Sequence, residues 1–190
     1  MKFFKYHALG NDYLVIDPKD CPAPPTAPQI KVICHRNFGV GSDGILLGPL
    51  PSDQARFALR VFNPDGSEAE KSGNGLRIFS RYLWDRQLVK DEEFAIQTQG
   101  GVVKSRALDS GKTVRVEMGQ ISFWSDKIPV AGPRREVINE KITVGGRTFR
   151  SPRPGAVRRF RRPDIRLRAG PLRCAPQTGA PDGRSRNRIH

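Results

Sequence analysis

The sequence predicts an α+β fold followed by a disordered basic tail. Three observations carry the prediction. Short strand-like runs surround one strong amphipathic helix, Leu76 to Leu88, a meander of three strands follows that helix, and the composition changes abruptly at Ser151. At 190 residues the chain is long enough for one ordinary domain with a core, or for two small ones.

The opening stretch KFFKYHALGNDYLVID sets apolar residues in two runs around Leu9-Gly10-Asn11-Asp12, which reads as strand, tight turn, strand. CPAPPTAPQ holds four prolines in nine residues and reads as a loop. In QIKVICHRNFGVG, residues Ile30, Ile33, Cys34 and Phe38 fall near helical spacing, predicting a short helix that stops at Gly39. GILLGPL and ARFALRVFNPDGSEAE read as strands, the second ending in a turn at Asn63-Pro64-Asp65-Gly66. Leu76, Phe79, Tyr82 and Leu83 then share one helical face, with Ser72 to Gly75 at the head of the helix. EFAIQTQGGVVKSRALDSGKTVRVEMG alternates through three strands broken at Gly100-Gly101 and Asp109-Ser110-Gly111. Beyond Gly119, KITVGGRTF reads as a hairpin turning on Gly145-Gly146.

Charge divides the chain unevenly. Residues 1–150 hold 22 Lys plus Arg against 17 Asp plus Glu, while residues 151–190 hold 11 Arg against two Asp, so +9 of the net +14 sits in the last forty residues. That segment has six Pro, four Gly and Phe160 as its one aromatic, too little apolar surface to offset chain entropy, and disorder is expected. The expected layout is a first domain over 1–119, the start of a truncated second over 120–150 and the basic tail over 151–190. No segment approaches the roughly 20 apolar residues of a membrane span, and Met1 leads straight into a strand, so a cytoplasmic protein without a membrane partner is expected. Cys21, Cys34 and Cys174 are odd in number and scattered, which supports neither a disulfide framework nor a zinc centre.

Two glycine motifs carry the candidate chemistry. GVGSDG, Gly39 to Gly44, has the letters of a dinucleotide fingerprint, but a helix precedes it and a strand follows, the reverse of the order that brings a pyrophosphate to a helix head; it reads as a turn. SGNG, Ser72 to Gly75, has the right context. Gly73 and Gly75 can adopt backbone angles closed to other residues, and the helix that follows offers unpaired N–H groups and a positive dipole end to an anion. Simple helix capping by Ser72 or Asn74 is the competing reading, and the residues alone leave both open. Cys34 reads as a small core residue. His7 and His35 lack further ligands at metal spacing.

HALGNDYLVID, GVGSDGILL, RVFNPDGSEAEKSGNGLRIFSRYL and VRVEMG, taken in this order and spacing, resemble the N-terminal half of the diaminopimelate epimerase family, from Met1 to about Arg150. The resemblance implies a fold of two similar halves, each a curved mixed sheet around a central helix, with the substrate between them. It also implies a cofactor-independent isomerase of lysine biosynthesis that interconverts LL- and meso-diaminopimelate, with a small amino-acid substrate and a homodimer. By position, Asn11 and Asn63 match residues that hydrogen-bond the substrate, and the backbone of Gly73 and Asn74 matches the grip on its α-carboxylate. Gly44 falls where some members have a substrate-contacting glutamine. Ser72 falls where the family has its first catalytic cysteine.

That last difference bears on mechanism. Without a cofactor the α-proton is only weakly acidic, so one thiolate removes it while a second thiol returns a proton on the opposite face. A thiol of pKa about 8.5 can be brought to neutrality at a helix head, whereas a serine hydroxyl is several units less acidic and makes a poor base. The family's second cysteine, in an ACGTG-like turn, and its GNPH-like stretch have no counterpart here, and Cys174 in LRCAPQTGAP lacks that setting. The break after Arg150 is expected to reflect a frameshift or premature end, leaving a chain with little or no epimerase activity. Two alternatives stand beside this reading: a racemase-like dehydratase or isomerase of the same fold using Ser72, and a nucleic-acid-binding protein acting through the arginine tail, which lacks the aromatics that stack bases.

Overall fold

The computed structural model describes residues 2–21, 23–120, 122–128, 130–151 and 170–172. Strands β1 (Phe3–Ala8) and β2 (Asn11–Ile16) form a hairpin closed by Leu9 and Gly10, whose φ angles of 57° and 85° suit a two-residue turn. Helix α1 (Ala27–Cys34) crosses over to β3 (Ile45–Leu50), which runs parallel to β2 with Leu14 opposite Ile45. Strand β4 (Phe57–Phe62) returns antiparallel, placing Phe62 opposite Ile45. The two-residue β5 (Glu68–Ala69) pairs with the end of β4 and leads into α2 (Gly73–Asp85). Strand β6 (Glu93–Thr98) then lies parallel to the start of β4, and β7 (Gly101–Leu108) and β8 (Thr113–Val116) complete the expected meander. The hairpin of β9 (Lys141–Val144) and β10 (Arg147–Arg150) forms a separate two-stranded sheet.

The large sheet curls around α2. Along the order β1-β2-β3-β4-β6-β7-β8 the helix touches β1, β2 and β3 on one side and β7 and β8 on the other, which a flat sheet could not offer. The apolar runs of β2 and β3 are continuous because both faces are covered. Tyr13, Val15 and Leu46 face inward onto Leu76, Phe79, Tyr82 and Leu83 of α2, while Leu14, Ile16, Ile45 and Leu47 face outward onto Ile30 and Cys34 of α1. Complete burial of side chains such as Phe79 and Leu83 contributes about 1.5–3 kcal/mol each. Cys34 is thus a core residue, accepting a hydrogen bond from Ser42 Oγ at 3.3 Å, and burial pushes its thiol pKa up. His35 caps the end of α1, its Nδ1 accepting from the Asn37 and Phe38 N–H groups. Among the described residues no three His, Cys, Asp or Glu cluster to hold a metal, and no helix is long and apolar enough to cross a membrane.

Five expectations need correction. Helix α1 begins at Ala27, inside the stretch expected as loop, because Pro28 occupies the first turn, where its missing N–H costs nothing, and Gln29 Oε1 accepts from the Thr26 N–H at 2.8 Å. It ends at Cys34, so Phe38 lies beyond it and is 83% exposed. Helix α2 stops at Asp85 rather than Leu88: Gln87 takes a φ of 58°, and bonds from the Gln87 N–H to Trp84 O and from the Leu88 N–H to Leu83 O close a Schellman motif. Gly73 and Gly75 both lie in the helix, so their value is space and not unusual backbone angles. Finally, Gly170–Leu172, inside the expected disordered tail, forms strand β11 antiparallel to β1. The rest of that tail, 152–169 and 173–190, lies outside the described residues.

Candidate active site

The register of the sheet gathers distant segments at one end. Leu14, Ile45 and Phe62 form one row across β2, β3 and β4, so the start of β2 with Asn11, the GVGSDG turn before β3 and the turn after β4 with Asn63 lie at the same rim. The head of α2 joins them through side chains. Asn74 Nδ2 donates to Asn11 Oδ1 at 3.2 Å, and the Tyr13 hydroxyl donates to Ser72 Oγ at 3.3 Å.

Ser72 is the N-cap of α2, with extended backbone and its Oγ accepting from the Gly75 N–H at 3.0 Å. Its carbonyl takes the Leu76 N–H. Among the described residues the N–H groups of Gly73 and Asn74 have no acceptor, and they point out of the helix at its positive end. Arg77 adds a full charge there, Nη1 donating to Asn74 Oδ1 at 3.0 Å. A Cβ on Gly73 would come within 3.7 Å of that same nitrogen and of Met118, so the space over Gly73 is open but narrow. Capping and anion binding are therefore compatible: Ser72 satisfies one helix-head donor and leaves two for a ligand.

An ionic cluster fixes this rim from behind. Asp43 Oδ2 accepts from Asn11 Nδ2 and from the Asp12 N–H, both at 3.0 Å, and Asp43 Oδ1 takes Arg36 at 2.7 Å. Asp12 in turn pairs with Arg36 at 2.8 Å and with Lys5 at 3.0 Å. Burial alone would raise the Asp12 carboxyl, but hydrogen bonds from Arg36 and Lys5 outweigh it and hold the pKa at about 2. The GVGSDG turn thus works as a clamp: through Asp43 it orients Asn11, and through Asn11 it orients Asn74. Its Gly44 has a φ of 157°, and a Cβ there would meet the Phe62 carbonyl and the Tyr13 ring, so a side chain at this position requires a different local backbone.

Comparison with known proteins bears on the family and the fold. The family model described as diaminopimelate epimerase matches residues 3–124. A diaminopimelate epimerase 2 from Nostoc sp. is 71% identical over 142 residues, covering 75% of this chain and 50% of that protein. The chain belongs to the diaminopimelate epimerase family. A diaminopimelate epimerase of Moorella thermoacetica is 43% identical over 154 residues, 79% of this chain and 55% of that one. This chain therefore spans about half the length of the curated diaminopimelate epimerases it matches. Among solved structures, a hydroxyproline epimerase from Agrobacterium vitis with bound trans-4-hydroxy-L-proline superposes with a TM-score of 0.52 at 16% identity, over 76% of this chain and 45% of that chain; the likeness bears on the fold alone.

Of the residues singled out in the sequence, Asn11, Ser72, Gly73 and Asn74 meet at the head of α2. Asn63 reaches the same rim, but its amide donates to Ser67 Oγ at 2.9 Å within its own turn. Sequence reasoning missed Tyr13, Arg77 and the Lys5, Asp12, Arg36 and Asp43 cluster. Tyr13 looks like one more apolar strand position, and the charges lie up to 38 residues apart along the chain, so neither leaves a local signal. The acidic residues of LGND and GSDG were visible as letters inside the quoted motifs, and only the register shows that they share one partner.

Proposed function

We propose that this chain supplies one wall of a cofactor-independent amino-acid epimerase site, with the α-carboxylate of diaminopimelate seated on the Gly73 and Asn74 N–H groups. The observation that carries the proposal is the convergence at one sheet rim of two helix-head donors unpaired among the described residues, the Arg77 charge and the Asn11–Asn74 pair. Asn11 and Asn63 are assigned to polar groups of the same ligand, Asn63 by releasing Ser67. The boundary near residue 119 is taken as the end of this wall, and β9 and β10 as the start of the second half. The family's dimer and a cytoplasmic location are extended to this chain in the same proposal.

Chemistry at the wall is limited by Ser72. Removing an α-proton needs a base, and a neutral hydroxyl whose oxygen already accepts from Gly75 and Tyr13 has neither the basicity nor the free lone pair. Neither described cysteine replaces it, since Cys34, the last residue of α1, is buried against the far side of the sheet and Cys21 opens the proline-rich stretch. The 190-residue chain by itself is expected to bind diaminopimelate without epimerising it. Incubation with LL-diaminopimelate in deuterated water, read by proton NMR and calorimetry, tests this: binding without α-deuterium is expected. Exchange at the rates of an active epimerase, or no binding at all, refutes the proposal.

A further inference from the structure

We propose that Tyr13 is a positioning residue that makes Ser72 a hydrogen-bond donor to the ligand carboxylate. Tyr13 sits on the inner face of β2 with 6% of its surface exposed, its ring packed in the α2 core. The ring lies where Gly44 leaves room, because a Cβ on Gly44 would stand 2.7 Å from Tyr13 Cε1. A phenylalanine would fill the same volume. What the hydroxyl adds, among the described residues, is one contact, the 3.3 Å donation to Ser72 Oγ.

That contact decides the direction of a small relay. Ser72 Oγ has two acceptor lone pairs and one proton. The Gly75 N–H at 3.0 Å takes one lone pair and the Tyr13 hydroxyl, the more acidic of the two, takes the other. The Ser72 proton is left for the third direction, and among the described residues it has no acceptor. Beside it stand the Gly73 and Asn74 N–H groups. The ligand chemistry that fits three converging neutral donors at a positive helix end is a carboxylate, with Ser72 as its third donor. Tyr13 never touches the ligand in this arrangement; it acts through Ser72.

The pairing rests on the α2 head being the carboxylate site, and its test is chosen to work without any ligand. Ser72→Cys converts the relay into a measurable group, because a thiolate at this position accepts from the same two donors. Peptide-resolved iodoacetamide labelling against pH reads this thiol apart from Cys21, Cys34 and Cys174. Its pKa is expected below about 8.5 with Tyr13 present, and about 0.5 to 1 unit higher when Tyr13→Phe is added. An equal pKa in the two backgrounds overturns the pairing, whatever its absolute value. A pKa that rises with Tyr13→Phe but starts above about 8.5 keeps the pairing and counts against the positive carboxylate site. Should the thiol variants fold poorly, a double-mutant cycle in urea replaces them: Tyr13→Phe costs stability in the parent and none in a Ser72→Ala background, and equal costs in both overturn the pairing.

Discussion

At position 72 one oxygen caps the helix and, in the proposed site, faces the ligand, and the two roles separate by substitution. Ser72→Ala removes the N-cap bond to Gly75 and is expected to cost about 1 kcal/mol in urea denaturation, whereas Ser72→Asp keeps the cap but places a negative charge against the ligand and abolishes carboxylate binding. Asp12 makes a prediction about acid. Its folded pKa of about 2 lies below its ordinary value of 3.8, so the unfolded chain binds more protons between the two. The stabilisation is fully present above about pH 4 and is lost as pH falls through about 2. Its size is about 1–2 kcal/mol, reduced because the Arg36 partner is 58% exposed and screened. Asp12→Asn is therefore expected to lower stability at pH 7 and to flatten the acid limb between pH 4 and 2, measured by thermal melts across that range. An acid limb unchanged in the variant contradicts the clamp described for the Asp12 and Asp43 cluster.

The two glycines at the head of α2 differ as parts of an element. On Gly75 a Cβ would meet Leu46 Cδ2 and Ser72 Cβ at 3.1 Å, so Gly75→Ala strains the contact of helix and strand and is expected to destabilise by about 1 kcal/mol. Among the described residues Gly73→Ala meets nothing nearer than 3.7 Å, and it gains helix propensity, so melting should hold or rise while diaminopimelate binding falls about tenfold, because in the proposed site the methyl group stands where the carboxylate approaches. A variant that loses stability and binding together would mean that Gly73 is a packing position only. The same elements show what was legible in the sequence. The hairpin at Leu9-Gly10, the meander and the head of α2 could be read locally, because turn residues and alternation fix them. The start of α1 could not, since a proline looks alike in a loop and in a first helical turn. The end of α2 was hidden because its stop depends on Gln87 in a conformation usually signalled by glycine.

Over the whole molecule, the curled sheet explains why residues from 11 to 77 build one rim: β2 and β3 start there, β4 ends there, and the helix that the sheet encloses points its positive end at them. That convergence was legible only through the family resemblance, because a register between β2, β3 and β4 is a long-range property that no window of sequence contains. The clamp and the Tyr13 contact were not legible at all, since each joins residues brought together by the register alone. The central claim is that this rim holds a carboxylate, and backbone amide NMR of the 190-residue chain titrated with diaminopimelate tests it most directly. The predicted result is saturable shifts at the Gly73 and Asn74 amides, with the Asn11 and Asn63 side-chain amides following and all four weakened by Gly73→Ala. Unmoved Gly73 and Asn74 amides at saturating ligand, or shifts confined to another part of the sheet, would contradict it.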